Sequence, residues 1–380
     1  MQIARLSDLA SKAACPRLVV KVGSSLLVGK DGLRRQWLEG LVSELAEARA
    51  RGQDVIVVSS GAIALGAASL GLDKGGRGSL ADAQAAAAVG QIALSGLWAE
   101  LFRGKGYTAA QLLLTIDDLE ERRRYLNVTA TLTRLLDAGA IPVINENDSV
   151  ATHEIRFGDN DRLAARVAQA AQASAVLLLS DVDGLFDRDP KLPDARLLPE
   201  VHGVTPEIHA MATAESASGM GSGGMRSKLQ AAEIAELAGI SLAIVNGTQD
   251  MPISRALDGA VGTLFLPRES KHSKAVARKA WLGGKLRLKG ALVVDAGAGK
   301  ALVKGSSLLA KGVTHVEGSF VRGDAIAIRD ESGKVLAHGL SEYDAEECAR
   351  LKGKHSNQHA AILGYAPRSA IVHRDQLVLL

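Results

Sequence analysis

The chain has 380 residues, of which 47% are hydrophobic and 23% charged, with a formal net charge of +3. At roughly 150 residues per domain, this length predicts two or three soluble domains with a sizeable core. No continuous apolar run approaches the roughly 18 residues that span a membrane, and the first residues lack a secretory signal, so we expect no membrane association. Cys15 and Cys348 form no metal-binding or redox spacing, which favours a reducing cytoplasm.

The charge is distributed unevenly. Residues 1–266 hold 26 Lys and Arg against 31 Asp and Glu, whereas residues 267–380 hold 19 against 11. An acidic N-terminal part and a basic C-terminal part predict two modules with different partners. The basic balance of the second module permits nucleic-acid contact without demonstrating it.

The first predicted strand carries a lysine at its carboxyl end. Residues 18–22 are apolar and largely β-branched except for Lys21, and Gly23, Ser24 and Ser25 follow at once. Such a strand end resembles those that lie beneath a bound phosphate in an open α/β sheet. The alternative is an edge strand with a solvated lysine and an ordinary turn.

Helical and strand patterns then alternate along the chain. We predict helices at 33–51, 80–102, 117–137, 162–171 and 225–237, and strands at 54–59, 109–114, 141–144, 175–179, 241–245 and 262–266. This alternation predicts an α/β fold with a mainly parallel sheet flanked by helices.

Polar residues follow several of these strands, where open α/β sheets bind ligands. Ser60, after strand 54–59, precedes a predicted helix and could hold a carboxylate or phosphoryl oxygen, or simply cap that helix. Two clusters of Asn and Asp, at 145–149 and 158–161, could grip an ammonium group and orient lysines. Their alternatives are a plain loop and a helix cap.

An Asp-rich segment follows strand 175–179. Residues 180–185 resemble half of a calcium loop, but no glutamate stands at the required position downstream, so we exclude an EF-hand. Asp181 is better placed to contact a nucleotide or its magnesium.

A glycine-rich segment, residues 216–228, opens the predicted helix 225–237. Residues 219–224 match G-x-G-x-x-G by count, yet no strand precedes them, and no Gly-Lys-Ser/Thr sequence closes a Walker A loop. Backbone N–H groups in such a loop still bind phosphates, and Lys228 adds a charge in the first helical turn. The alternative is a flexible surface loop.

The pattern changes after residue 266. Residues 267–284 are polar and basic and predict a linker, and short apolar runs follow at 292–294, 301–303, 313–316, 325–328 and 335–337. Regular short strands of this kind predict a small β-barrel. His355 and His359 lie four residues apart with no third ligand nearby, so we expect no metal site there.

Six motifs stand in order along the first module, and together they resemble the amino-acid kinase superfamily, most closely its glutamate 5-kinase branch. They are VVKVGSS at 19–25, VSSGAIALG at 58–66, VINENDSVAT at 143–152, FGDNDRLAA at 157–165, LLLSDVDGLFDRDP at 177–190 and GSGGMRSKLQAA at 221–232. The segments GSSLLAKGV at 305–313 and AILGY at 361–365 look like the PUA domain that many bacterial members carry. The resemblance implies a kinase domain over 1–266, a linker over 267–284 and a PUA-like β-barrel over 285–380.

The same resemblance implies the reaction and the residues that carry it. Members phosphorylate the γ-carboxylate of L-glutamate with ATP and Mg²⁺, giving L-glutamyl 5-phosphate for proline biosynthesis. By motif match, Lys21 and Lys228 contact the transferring phosphoryl group and Asp161 orients them. No protein residue is assigned to a metal. The remaining matched positions are Ser60, Asp148 and Asn160 for glutamate, and Lys21, Ser180, Asp181, Ser222, Gly223, Gly224, Met225, Arg226, Ser227 and Lys228 for ATP.

Several properties stay open at this point. The family is commonly dimeric or tetrameric and commonly inhibited by proline, so we expect a homo-oligomer and consider proline as a feedback inhibitor. Aspartate and N-acetylglutamate are the rival substrates, although the basic β-rich tail does not resemble the ACT domains of aspartate kinases. RNA binding by the PUA-like module is the rival function, and few aromatic residues in it or just before it suit base stacking: Trp281, Phe320, Tyr343 and Tyr365.

Overall fold

The computed structural model describes residues 2–29, 32–150, 159–212, 224–259, 261–268, 288–365 and 367–380. The chain divides into two compact units, residues 1–121 with 127–269 and residues 122–126 with 270–380. The exact domain boundaries at 266 and 285 stay a prediction, because residues 269–287 lie outside the described parts.

The first unit contains ten of the described strands. They are β1 (Arg17–Val22), β2 (Val28–Gly29), β3 (Gly32–Leu33), β4 (Asp54–Ser59), β5 (Ala109–Leu114), β6 (Ile141–Glu146), β7 (Ala175–Ser180), β8 (Glu200–His202), β9 (Ser241–Asn246) and β10 (Thr263–Leu266). The helices over the same stretch are α1 (Ser24–Leu27), α2 (Arg35–Ala50), α3 (Ala62–Leu70), α4 (Leu80–Gly104), α5 (Ile116–Glu120), α6 (Arg122–Asp137), α7 (Asp159–Ala170), α8 (Pro206–Met211), α9 (Met225–Leu237) and α10 (Pro252–Gly259).

Eight of these strands form one sheet in the order β5-β6-β4-β1-β7-β9-β10-β8. Every neighbouring pair is parallel except β9 and β10. The carboxyl ends of β1, β4, β6, β7 and β9 therefore meet at one edge of the sheet. The predicted fold class, a mainly parallel sheet flanked by helices, is confirmed.

Lys21 lies near the end of β1, a central strand. It pairs with Val58 of β4 on one side and Leu178 of β7 on the other. The apolar residues of β1 and all residues of β7 are buried, as expected for strands covered by helices on both faces. This arrangement fixes the backbone of Lys21 at the carboxyl end of the sheet, where open α/β sheets usually bind ligands.

Helix α4 combines unusual length with an apolar sequence. By length and composition it is the one described helix that could cross a membrane, with a mean hydropathy of 1.3 over its apolar window. It also packs internally: Leu94, Trp98 and Phe102 are buried in the sheet core, and the rings of Trp98 and Phe102 stack at 5.7 Å. This packing explains much of its apolar character.

The second unit forms its own sheet and core. Its strands are β11 (Gly290–Val294), β12 (Val313–Gly318), β13 (Ala325–Asp330), β14 (Val335–Leu340) and β15 (Leu377–Leu379), and its described helices are α11 (Ala296–Val303), α12 (Ala345–Leu351) and α13 (His359–Leu363). The strand order is β12-β11-β13-β14-β15, antiparallel except for the pair β11–β13. The predicted C-terminal module of short strands is thus confirmed.

Some predicted elements differ from the structure. The strand predicted at 301–303 is wrong, because these residues end α11, whose N-cap Asp295 accepts a hydrogen bond from the N–H of Ala298 at 2.7 Å. The helix predicted at 117–137 is two helices that meet at Glu121, where the backbone is extended. Strand β6 runs two residues further than predicted, through Asn145 and Glu146.

Helices α3 and α4 cross with their backbones in contact, and two glycines permit this. A Cβ at Gly66 would lie 1.8 Å from the carbonyl oxygen of Ala86, and one at Gly90 would lie 1.8 Å from that of Ala62. Any larger residue at either position must push the two helices apart.

Gly90→Ala should lower the free energy of unfolding by at least about 2 kcal/mol, because its methyl group would overlap a backbone carbonyl. Gly96→Ala on the same helix is the matched control, since a Cβ there meets nothing within 4 Å. The control should be neutral or stabilise by about 0.5–1 kcal/mol through helix propensity. Denaturant unfolding measures both, and equal effects would contradict this account of the crossing.

Candidate active site

The centre of the site is a buried carboxylate between two buried ammonium groups. Nζ of Lys21 lies 2.6 Å from Oδ1 of Asp161, and Nζ of Lys228 lies 3.2 Å from Oδ2 of the same carboxylate. Asp161 is fully buried, and the two lysines are only 8% and 5% exposed. We call Lys21, Asp161 and Lys228 the charged triad. Two of its members stand in the first turn of a helix, α7 for Asp161 and α9 for Lys228.

Burial and charge oppose each other in the triad. Burial by itself raises the pKa of the Asp161 carboxyl, but the ammonium groups of Lys21 and Lys228 outweigh it and hold that pKa below its usual range. Burial lowers the pKa of Lys21, and repulsion from Lys228 adds to this, while Asp161 works in the opposite direction. The carboxylate therefore keeps two cations close together in a desolvated place, with one net positive charge available to an anion.

A chain of polar side chains leads away from the triad. The Nδ2 group of Asn160 donates to Oγ of Ser60 at 2.7 Å and lies 3.3 Å from Oδ1 of Asn145. Asn145 in turn donates to Oε1 of Gln91 on α4 at 2.8 Å. Oδ1 of Asn160 is buried and accepts no hydrogen bond within the described protein, so it remains able to accept one from a ligand.

The backbone around Ser60 is held firmly. Its N–H donates to the carbonyl of Val22 at 2.9 Å, which ties the end of β4 to the end of β1. Gly61 follows with φ of 114°, a conformation that favours glycine, and turns the chain into α3. The preceding Ser59 accepts a hydrogen bond from the indole N–H of Trp98 at 3.0 Å. The backbone of Ser60 is thus fixed, and its hydroxyl bonds Asn160, the residue before Asp161 of the triad.

Asp148 lies in the loop after β6, at the start of a 3₁₀ turn. It is half-buried and borders a cleft of about 370 Å³ that Ala87, Ala88 and Gln91 of α4 also line. A second residue, Arg77, is close enough for the two charges to interact. Ser60 and Asp148 thus follow the carboxyl ends of two neighbouring strands, β4 and β6, and Asn160 bonds to Ser60.

The predicted nucleotide residues lie across the neighbouring strand. Ser180 ends β7, and its hydroxyl lies 3.2 Å from Oδ1 of Asp181. Oδ2 of Asp181 is buried without a hydrogen-bond partner in the described protein, which suits a hard cation or a bound water. Gly224 is the N-cap of α9, and Met225, Arg226 and Ser227 form its first turn with Lys228. Ser222 and Gly223 lie outside the described residues.

The sequence predicts the charged residues of the site but not all of the polar residues that lie around them. Gln91, Asn145 and Arg77 received no individual role, although Asn145 belonged to a recognised polar cluster. The sequence gives a weak indication that Gln91 has a role, because it is a polar residue in an alanine-rich helix, seven positions after Gln84. The sequence gives no such indication for Arg77, since a single arginine in a glycine-rich turn is usually solvated.

Asp161→Asn should destabilise the fold by about 3–5 kcal/mol, because two buried ammonium groups would lose their counter-charge. Asp194→Asn is the matched control, since that carboxylate pairs with Arg188 at the surface and is 67% exposed. The control should change stability by no more than about 1 kcal/mol.

The stabilisation by Asp161 should also depend on pH. The folded-state pKa of Asp161 lies below its unfolded value, so its contribution to the free energy of unfolding is complete above about pH 4 and is lost as the pH falls through the folded pKa. Denaturant unfolding across that range tests both points, and a pH-independent difference between wild type and Asp161→Asn would refute the charge argument.

Comparisons with known proteins place these features in a family. The model of the amino acid kinase family matches residues 16–246, and that of the PUA domain matches residues 290–363. A glutamate 5-kinase from Novosphingobium aromaticivorans is 70% identical over the whole length of both chains. Glutamate 5-kinases from Sphingopyxis alaskensis and Zymomonas mobilis are 60% and 54% identical, covering 97% and 96% of this chain and 98% and 92% of their own. The chain is therefore an enzyme of the amino acid kinase family, within its glutamate 5-kinase group.

Proposed function

We propose that this enzyme transfers the γ-phosphoryl group of ATP to the γ-carboxylate of L-glutamate, forming L-glutamyl 5-phosphate for proline biosynthesis. The observation that carries this proposal is the charged triad beside the polar chain of Ser60, Asn160 and Asn145. The triad offers positive charge to a phosphoryl group, and the polar chain offers donors and acceptors to an amino acid.

The proposed reaction requires little covalent chemistry from the protein. A carboxylate is already an oxyanion nucleophile, so no general base is needed to remove a proton. Attack on an anionic phosphate suffers from repulsion, which the ammonium groups of Lys21 and Lys228 offset in a water-poor place. Asp161 orients the two lysines and prevents their mutual repulsion from separating them. Positioning and charge neutralisation thus supply the catalysis.

We assign the remaining residues to the two substrates. Ser60, Asn160 and Asp148 bind glutamate, with Asp148 facing its ammonium group. Ser180, Asp181 and the start of α9 bind ATP, whose phosphates meet the N–H groups and Lys228 there. The unpaired Oδ2 of Asp181 fits the Mg²⁺ that accompanies ATP, directly or through water. When bound, that ion supplies further neutralisation of phosphate charge.

The location and partners of the enzyme are also proposals. A cytoplasmic location accords with two buried free thiols, Cys15 and Cys348, and with the need for ATP. We retain a homo-oligomer and inhibition by proline as proposals from the family. RNA binding by the PUA domain has no supporting observation beyond its charge.

The direct test is ATP-dependent formation of an acyl phosphate, trapped with hydroxylamine, using glutamate, aspartate and N-acetylglutamate side by side with and without Mg²⁺. Signal with glutamate alone is the expected result. Signal with another acceptor would overturn the assignment of Ser60, Asp148 and Asn160 and leave the triad in place. The absence of any signal would overturn the kinase proposal.

Lys21→Ala and Lys228→Ala should each lower kcat by at least about a hundredfold, the scale of losing one transition-state donor. Lys191→Ala, which removes an exposed lysine, is the control and should leave kcat unchanged. Steady-state kinetics of acyl-phosphate formation measures all three variants. Wild-type turnover in either site variant would remove that lysine from the mechanism.

Asp148→Ala should mainly raise the KM for glutamate, by about tenfold or more, because the ammonium group loses a charged partner. The KM for ATP should stay within about twofold. Asp194→Ala at the exposed surface serves as the matched loss of a carboxylate. An unchanged KM for glutamate would show that Asp148 does not hold the ammonium group.

A further inference from the structure

Asn145, near the end of β6, is a buried amide that is bonded at both ends. It is 2% exposed, and its Oδ1 accepts the backbone N–H of Glu146 at 2.9 Å. A backbone N–H can only donate, so this contact fixes which end of the amide carries the oxygen. The Nδ2 group at the other end donates to Oε1 of Gln91 at 2.8 Å. Among the residues that the structure describes, Gln91 is the one acceptor for this buried donor.

The orientation of Asn145 determines that of Asn160. Oδ1 of Asn145 lies 3.3 Å from Nδ2 of Asn160, and Oγ of Ser60 accepts from the same nitrogen at 2.7 Å. Both N–H groups of the Asn160 amide are thus directed at protein acceptors. Oδ1 of Asn160 is buried and has no donor within the described protein. A buried oxygen of this kind costs free energy unless a ligand supplies the donor.

The same bonds leave Ser60 able to donate. Its Oγ accepts from Asn160, and the part of the chain that the structure describes offers no acceptor for its hydroxyl hydrogen. An acceptor on Asn160 and a donor on Ser60 are thereby linked by one hydrogen bond. This pair is complementary to the N–H donors and carboxylate oxygens of an amino acid. An ammonium group has three N–H donors, so it can bind Asn160 and Asp148 together.

Gln91 is well placed to hold this arrangement. Its backbone follows Gly90, where a Cβ would lie 1.8 Å from the carbonyl oxygen of Ala62, so helix α4 cannot shift easily at this point. The side chain of Gln91 is half-buried and borders the cleft of about 370 Å³ that Asp148 also lines. Without its oxygen, the buried Nδ2 of Asn145 would turn toward another acceptor and draw Oδ1 away from Asn160.

We propose that Gln91 is a positioning residue for the amino-acid substrate. It holds Asn145 in one amide orientation, and through Asn145 it holds Asn160 with Oδ1 presented to the ammonium group of the substrate. This inference rests on the proposed function, because it deepens the assignment of the glutamate site. Gln91 itself acts on Asn145 and contributes an acceptor oxygen, which a glutamate side chain at position 91 would also provide.

The test measures the KM for glutamate and the KM for ATP in three variants. Gln91→Met removes the amide oxygen and should raise the KM for glutamate by about 5- to 50-fold, the scale of a buried donor left without its acceptor. Gln91→Glu keeps an acceptor and should stay within about threefold of the wild type. Gln111→Met is the matched control, because Gln111 is exposed on β5 and lines the same cleft. It should leave the KM for glutamate unchanged, and the KM for ATP should stay within about twofold in all three.

A second measurement tests whether Gln91 acts through Asn145. Asn145→Ala should itself raise the KM for glutamate, and adding Gln91→Met should raise it by no more than a further twofold or so, because the two residues share one effect. KM does not depend on the fraction of enzyme that is folded, so partial unfolding of a variant does not imitate this result.

Four outcomes would contradict the inference. With glutamate active in the wild type, an unchanged KM in Gln91→Met would overturn it and leave the proposed function standing. A KM in Gln91→Glu as high as in Gln91→Met, or a similar rise in Gln111→Met, would also overturn it. So would increases that multiply in the double variant. A wild type that does not phosphorylate glutamate would instead overturn the proposed function and this inference with it.

Discussion

One carboxylate, that of Asp161, holds two ammonium groups in a place almost free of water, and the rest of the site depends on this interaction. Without Asp161, Lys21 and Lys228 would repel each other, and nothing in the triad would oppose the lowering of the Lys21 pKa by burial. The fold brings these residues together from three elements: a central strand and the first turns of two helices. The pairing of β1 between β4 and β7 fixes Lys21, so the helices need only bring Asp161 and Lys228 to it.

A second constraint acts through small residues. The close crossing of α3 and α4 at Gly66 and Gly90 fixes the backbone of α4 directly before Gln91. Gln91 accepts a hydrogen bond from Asn145, whose Oδ1 lies 3.3 Å from Nδ2 of Asn160. The polar chain that we assign to glutamate is therefore supported by backbone packing remote from any charge. The buried carboxylate of Asp161 and the close crossing of α3 and α4 together hold the polar side chains at the carboxyl end of the sheet in fixed positions.

The sequence predicted most of the parallel sheet because β1, β4 and β7 are short β-rich runs separated by helical patterns, each read from local periodicity. It predicted Lys21, Asp161 and Lys228 as a group only through motif resemblance, since residues 21, 161 and 228 are far apart in the chain. Strand 301–303 failed because an apolar triplet fits a strand or a helix equally well, and the cap at Asp295 decided the outcome. Gln91 and Arg77 escaped notice because only the tertiary packing of α4 gives them neighbours.

The central claim is that the charged triad acts as one unit, and a double-mutant cycle tests it most directly. The measurement is the single-turnover rate of phosphoryl transfer in Lys21→Ala, Asp161→Ala and the double variant, with ATP and glutamate saturating. If Asp161 works by holding the lysines, the double variant should be no slower than the worse single variant, within about threefold, because groups that act together are not additive. Losses that multiply would show that Lys21 and Asp161 contribute independently and would contradict the account.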